Sequence, residues 1–310
     1  MFTVQLYTKL HKFKEDFMKK IIIILLISLL TISLAACGNE DTNTDAKSQE
    51  VFKIGAIPDQ NTSKLNRRFE DLAKYIGDET GLKVEYVPTV DYAALVTAFE
   101  RGEIQLGWFG GLTGVQARNA VEGAEAIAQR PRDEEFHSVF IAQKGLGLKE
   151  LTDIKGHSFT FGSESSTSGH LMPRHFLIES GIDPTKDFDG EVNYSGSHDK
   201  TWKLVESGAF ETGALNEAVW EAALEEEKVN LEKIEVFYTT PSYYDYNWTI
   251  NNVDEKFGEG TKEKVKDALL SMGEDQKEIM ELFEAEKFIE TKNENYKAIK
   301  DVAENLGIIK

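Results

Sequence analysis

SFTFGSESSTSGHLMPRHFLIE, residues 158–179, reads as one strand, one hydroxyl-rich loop and one helix. Ser158 to Phe161 has the apolar character of a short buried strand. Gly162 ends it, and from about Ser168 to Glu179 apolar residues recur at helical spacing until Gly181 stops the run. The same strand-then-helix unit repeats in both directions. Upstream, a strand at Val51–Ile57 ends at Pro58-Asp59, and Leu65, Phe69, Leu72, Ala73 and Ile76 then mark a helix that Gly81 stops. A strand at Leu82–Val87 follows, then a helix with Asp91 as its N-cap and Leu95, Val96 and Phe99 on one face. Ile104–Trp108 is a strand running into Phe109-Gly110-Gly111, a helix spans about 112–121, and strands lie near 124–128 and 136–142. Downstream, the spacing predicts strands at 191–194, 212–215 and 234–238, helices near 200–207 and 216–226, and only helix from Thr261 onward.

Strands alternating with helices imply an α/β protein with largely parallel sheets covered on both faces. Two such halves without a Ser/Gly-rich linker suggest lobes joined by extended crossings, expected near 143–148 and 239–247. The expected first lobe is discontinuous, residues 51–145 plus 245–310, and the second is 146–244. Open sheets of this kind bind ligands at the carboxyl ends of their strands, so the cleft between the lobes is the expected site.

Composition narrows the function. The 310 residues carry 35 Lys+Arg against 54 Asp+Glu, a formal charge of −19. Counterion release on a phosphate backbone needs clustered cations, so nucleic acid is not an expected partner. There is a single cysteine, Cys37, which excludes an intrachain disulfide and a thiolate metal cluster. The six histidines include no His-Glu-x-x-His pair, and the chain has no Gly-x-Ser-x-Gly elbow, Walker loop or dinucleotide fingerprint. No metal and no cofactor are expected.

The N-terminus reads as an address. Lys19-Lys20 precede an apolar run from Ile21 to Ala36, too short to span a bilayer, which ends Leu34-Ala35-Ala36-Cys37. This resembles a bacterial lipobox, in which the cysteine becomes the lipidated first residue. Residues 1–36 are then a signal peptide, of which 1–17 read as an over-extended gene start before Met18, and 37–50 form a flexible polar tether with a reach of roughly 20 Å. Removing residues 1–36 takes away five lysines, Glu15 and Asp16, which leaves a charge of −22.

Several short segments could carry binding chemistry. Ser166-Thr167-Ser168-Gly169 sets three hydroxyls and free backbone N–H groups at a helix start, where the macrodipole favours an anion; the same residues also suit a plain N-cap. Gly169 would let a ligand approach the backbone. In Gly196-Ser197-His198-Asp199, His198 is either a donor oriented by Asp199 or a surface histidine beside a cap. Trp108-Phe109-Gly110 places aromatics and bare backbone at the cleft edge, or core. Asp91-Tyr92 offers a phenol at a helix start, and Asn216-Glu217 opens another helix. In Pro241-Ser-Tyr-Tyr-Asp-Tyr-Asn-Trp248, Tyr244 and its neighbours are either hinge packing or site, and Asp245 is solvated or acts as a filter. A carboxylate there accepts a protonated oxyanion or an ammonium tail and rejects a bare dianion.

Taken in order, Ile57-Pro58-Asp59, Val90-Asp91-Tyr92-Ala93-Ala94, Trp108-Phe109-Gly110, Ser166-Thr167-Ser168-Gly169, Gly196-Ser197-His198 and Pro241…Asp245 resemble the phosphonate/phosphite/phosphate family of ABC-transporter solute-binding proteins. The Trp-Phe-Gly-Gly and Tyr-Tyr-Asp-Tyr variants look most like a branch that carries a selenate-binding label. The resemblance implies a type II periplasmic-binding-protein fold, two lobes closing on ligand through a two-strand hinge, and no catalysis. It implies that Ser166, Thr167 and Ser168 hold a tetrahedral head with His198 donating. Tyr92 and Phe109 would line the opposite lobe, and Asp245 would face the head or tail of the ligand. Phe109 stands where some relatives have tyrosine, and Asn216-Glu217 departs from the acidic position that holds an amine tail in relatives. Both favour a compact oxyanion or simple alkylphosphonate. The expected partners are that small anion, an ABC permease with its ATPase, and the membrane through the lipid, with the protein a monomer on the extracytoplasmic face. Other tetrahedral oxyanions such as selenate or sulfate, an enzyme on the same fold, and a surface-interaction lipoprotein are the competing readings.

Overall fold

The computed structural model describes residues 50–309. The expected signal peptide, lipidated Cys37 and most of the tether lie outside the described residues. In chain order the strands are β1 (Val51–Ala56), β2 (Lys83–Pro88), β3 (Leu106–Phe109), β4 (Glu125–Gln129), β5 (Ser138–Gln143), β6 (Phe159–Phe161), β7 (Asn193–Tyr194), β8 (Thr212–Asn216), β9 (Ile234–Thr239), β10 (Asn247–Ile250) and β11 (Ile289–Glu290). They form two sheets, one of six strands in the order β11-β4-β10-β3-β1-β2 and one of five in the order β7-β6-β8-β5-β9.

Both sheets are mixed, not largely parallel. β1 runs parallel to β2 and β3, and β6 runs parallel to β7 and β8. The strands that begin each lobe after a crossing run the other way: β5 is antiparallel to β8 and β9, and β10 is antiparallel to β3 and β4. A chain that leaves one sheet through an extended crossing enters the next one against the direction of its βα units, with no helix to turn it round. A second difference lies in the C-terminal region, where Ile289–Glu290 is a short strand on the edge of the first sheet instead of helix. Two residues are too few to leave a periodic signature.

The first crossing also lies earlier than the expected 143–148, because β5 belongs to the second sheet. It runs over 130–137 and begins with a buried ion pair, Arg130 to Asp133 at 2.7 Å. The Arg130 guanidinium lies over the rings of Trp108 and Tyr246. The return crossing runs over 240–246. Phe136 and Tyr243 exchange both backbone hydrogen bonds at 2.9 Å, Thr240 N–H donates to Ser138 C=O, and Asp245 N–H donates to Asp133 C=O. The two crossings are therefore a paired ribbon.

Period-two alternation in β5 explains how the second sheet is covered on both faces. Phe140 points to one side, with Phe159, Phe161 and Leu177, while Val139 and Ile141 point to the other, with Trp202, Leu215 and Trp220. In the first lobe the helix Thr62–Thr80 lays Phe69 and Leu72 on the sheet, and Phe69 meets Tyr86, Trp248 and Phe283 edge-on or stacked. Each such side chain removed from water is worth roughly 1.5–3 kcal/mol. The apolar faces are thus satisfied inside each lobe, and polar strand ends and helix starts meet between them.

Candidate functional site

Three helix starts converge between the lobes. The helix Gly111–Ala120 follows β3, a π-helical turn at Thr167–Leu171 followed by the helix Met172–Glu179 comes after β6, and the helix His198–Glu206 comes after β7. A π-turn where a helix was expected widens the first turn, with Leu171 N–H donating to Ser166 C=O. Such bulges concentrate at functional sites. Ser166 is the N-cap, its Oγ accepting Gly169 N–H at 3.0 Å.

The two lobes touch through these ends. Leu112 N–H of the first lobe donates to Thr167 Oγ1 of the second at 2.9 Å, and Gly111 N–H donates to Asp245 Oδ1 at 2.9 Å. A Cβ at Gly110 would stand 3.1 Å from Thr167 Oγ1 and 3.2 Å from Asp245 Oδ1, so glycine is what lets this corner close. Gly169 is held in the same way, its missing Cβ lying 3.0 Å from both His198 Cε1 and Ser166 Oγ. Thr167, Asp245 and the amides of 111 and 112 thus form one half of the site, and Ser166, Gly169 and His198 the other.

Around them are buried polar atoms without a partner in the protein: Tyr92 Oη, His198 Nε2 and Asp245 Oδ2. The Tyr92 hydroxyl is pushed well above its ordinary pKa by burial and then by Asp59 and Asp245, against the neighbouring Ser166 hydroxyl, so it is a donor. Burial holds the His198 imidazole down at about 4 against the pull of Asp199. The ring is therefore neutral at physiological pH. Its Nδ1 accepts the Asn216 N–H at 3.3 Å, which assigns the proton to Nε2. Burial pushes Asp245 up to about 7, opposed by the Gly111 N–H and the neighbouring Thr167 and Ser168 hydroxyls and reinforced by Asp133. Near neutrality this carboxyl exchanges between donor and acceptor. The donors that converge here are uncharged, and the starts of the flanking helices add about half a positive charge each. An orphaned buried polar group costs about 1–3 kcal/mol, so three together mark a place built for a polar guest.

Some expected site residues are used differently. The Phe109 ring folds over Gly107 and meets Phe99 edge-on, in the core of the first lobe. Side chains at 107 and 109 share a face of β3, and the glycine leaves the space the ring fills. Tyr244 is half-exposed and packs on Tyr296; the inward phenols are Tyr243 and Tyr246. The Asn216 amide is consumed internally, Oδ1 capping the helix Glu217–Glu225 at Val219 N–H and Nδ2 donating to Tyr246 Oη. Asp199 does not orient His198, because it bonds Ser197 Oγ and Lys203 Nζ on the outside of the helix. Asp91 caps its helix through Ala94 N–H. Trp108 is core, stacked on Tyr246.

Sequence reasoning gave no role to Asp59, Tyr246 or the amides of Gly111 and Leu112. Tyr246 donates to Asp59 Oδ2 at 2.7 Å, across 187 residues of chain. Asp59 C=O also accepts His198 N–H at 3.0 Å. The available signal was an acid placed directly after the first strand, where open α/β sheets carry their ligands.

Hydroxyl, imidazole and carboxyl groups without a partner in the protein thus gather at helix starts between the two sheets. The family described as ABC transporter, phosphonate, periplasmic substrate-binding protein matches residues 54–296, and the chain belongs to that family. It is a solute-binding protein of the type II fold and not an enzyme. It is 42% identical over 272 residues to a probable ABC-transporter phosphite-binding protein, PhnD1, of Prochlorococcus marinus, covering 84% of this chain and 91% of that one. The structure of that relative in complex with methylphosphonate superposes with a TM-score of 0.81 at 41% identity, over 84% of this chain and all of the other. A phosphate-import protein of Mycolicibacterium smegmatis is 28% identical over 199 residues, 60% of this chain and 61% of the relative.

Proposed function

We propose that this protein captures a compact phosphorus oxyanion, phosphite or methylphosphonate, outside the cytoplasmic membrane and delivers it to an ABC permease while anchored through a diacylated Cys37. The observation that carries the reading is the set of unpartnered buried atoms, Tyr92 Oη, His198 Nε2 and Asp245 Oδ2, beside Thr167 and Ser168. Three anionic oxygens take these donors together with the helix-start dipoles. Hydrogen bonds to a charged acceptor are worth about 1.5–3 kcal/mol each, so five, less desolvation and ordering, reach about −8 kcal/mol, or micromolar affinity.

Size supports the choice among phosphorus ligands. The direct contact between Leu112 and Thr167 and the internally consumed Asn216 amide leave a short fourth substituent favoured over an aminoalkyl tail. Asp245, near neutrality, suits a ligand that shares a proton with it, as phosphite and alkylphosphonates do and sulfate and selenate do not. Long-range attraction plays no part, since the mature chain carries −22 and repels anions until they reach the site.

Titration calorimetry at pH 7 with phosphite, methylphosphonate, phosphate, aminoethylphosphonate, sulfate and selenate tests the reading. Heat from phosphite or methylphosphonate at micromolar concentration, with sulfate and selenate weaker by at least tenfold, is the expected outcome. Silence from both phosphorus ligands, or tighter binding of selenate, overturns it.

A further inference from the structure

A closed circuit of hydrogen bonds joins the two lobes behind the oxyanion site. It starts at Asp59, just past the end of β1. Its Oδ2 accepts the Tyr246 hydroxyl proton at 2.7 Å. With its proton so committed, Tyr246 Oη offers a lone pair and accepts from Asn216 Nδ2 at 2.9 Å. Asn216 cannot flip, because its Oδ1 is held by Val219 N–H at 2.7 Å. Its backbone N–H in turn donates to His198 Nδ1 at 3.3 Å. The circuit closes where His198 N–H donates to the Asp59 carbonyl at 3.0 Å. All four residues are buried.

The Asn216 backbone N–H, by donating to Nδ1, leaves the ring proton on His198 Nε2, the atom unpartnered toward the anion site, and the Asn216 side-chain bonds hold that backbone in place. Tyr246 moves with the first lobe, since its ring stacks on Trp108 at 5.5 Å. The bonds that cross between lobes are therefore Asn216 to Tyr246 and His198 to Asp59, and both form only when the lobes meet. We propose that Asp59 and Tyr246 are positioning residues for ligand binding. Through Asn216 they hold the His198 ring in the orientation that presents Nε2–H, and they do so only in the closed form, coupling the quality of the donor to closure. The proposal rests on the oxyanion reading for the identity of the ligand but not for the circuit.

The coupling makes a kinetic forecast. Encounter with the ligand happens in the open form, where the circuit is broken, so its loss leaves the association rate alone. Dissociation requires reopening, so its loss raises the dissociation rate. The test uses Tyr246→Phe, which keeps the ring on Trp108 and removes only the hydroxyl, together with Asp59→Ala and Asp59→Asn. Stopped-flow tryptophan fluorescence with methylphosphonate as probe is expected to show the dissociation constant raised roughly 5- to 30-fold in Tyr246→Phe and Asp59→Ala, the span expected from losing one buried hydrogen bond. Nearly all of that increase is expected in the off-rate. Asn at 59 retains an acceptor and is expected to restore most of the affinity. An unchanged off-rate in Tyr246→Phe with normal folding, or a fall confined to the on-rate, overturns the proposal.

If the wild-type chain binds no phosphorus ligand, the reading of the ligand fails while the circuit is still tested. Paired spin labels, one on each lobe, then report how the ligand-free protein divides between the open form and the closed one, which alone holds the circuit. The Tyr246→Phe distribution is expected to shift to longer distances, and an unchanged distribution refutes the circuit. Should Asp59→Ala fail to fold, Tyr246→Phe carries both measurements alone.

Discussion

Replacing Asp245 by asparagine should remove a specific pH dependence from binding. The carboxyl is buried, its Oδ1 accepts the Gly111 N–H at 2.9 Å, and its Oδ2 has no partner in the protein. With its pKa at about 7, it is mostly protonated at pH 6 and mostly ionised at pH 8. The protonated form donates to an anion oxygen, and the ionised form repels it. The fraction protonated falls about tenfold between these two pH values, equivalent to about 1.4 kcal/mol. Asparagine keeps the geometry: its Oδ1 accepts from Gly111 and its Nδ2 donates to the anion at any pH. Phosphite and methylphosphonate ionise in the same range, so the useful quantity is the ratio of wild-type to Asp245→Asn dissociation constants for one ligand, which cancels the ligand's own titration. Calorimetry at pH 6, 7 and 8 should show that ratio rising about tenfold. A flat ratio refutes the placement of Asp245 Oδ2 against the anion, and a falling one reverses its role.

Thr167→Val should weaken methylphosphonate binding by about 1–3 kcal/mol in calorimetry while the melting temperature stays within a few degrees, because Oγ1 serves the lobe contact and the anion and not the core. His170 Nδ1 donates to Glu164 C=O at 2.6 Å and Nε2 accepts from Arg174 Nε at 3.0 Å, tying the 163–166 loop to the helix behind it. His170→Ala should raise amide exchange across that loop and weaken binding severalfold, measured by exchange mass spectrometry and calorimetry. Burial lowers both His170 and His198 to about 4, below the unfolded value of about 6.5. The folded state then binds fewer protons than the unfolded one over that window. The stability is complete above pH 6.5 and is lost toward pH 4, about 3 kcal/mol for each ring. Asp245, raised to about 7, acts in the opposite sense between pH 4 and 7, so melting curves of Asp245→Asn should fall more steeply with acid than those of the wild type. Finally, Cys37→Ser should move the protein from the detergent phase to the aqueous phase in a phase-partition assay; partition unchanged from wild type argues against the lipid.

The βα units were legible because burial on a regular element leaves a period in the chain. Phe69 and Leu72, or Val139 against Phe140, report which face is covered whatever covers it. The same logic failed at the first crossing. β5 alternates equally well in either sheet, and what assigns it is its pairing with β8 and β9, which period alone does not encode. In the site, Thr167, Ser168, His198, Tyr92 and Asp245 were legible as residue types at strand ends and helix starts. Phe109, Tyr244 and Asn216 were misplaced, since whether a side chain faces a cleft or a core turns on a neighbour such as Gly107 or Tyr246.

Taken alone, the chain determines an alternating α/β body with a hydroxyl-rich helix start and an acidic surface, because these depend on composition and local spacing. Only the folded protein decides that Asp59 meets Tyr246 across 187 residues, that the Gly111 amide meets Asp245 across 134, and that the His198 proton sits on Nε2. Hydrogen bonds act over about 3 Å and burial sets their strength, so donor, acceptor and protonation state emerge only when distant segments share one dry place.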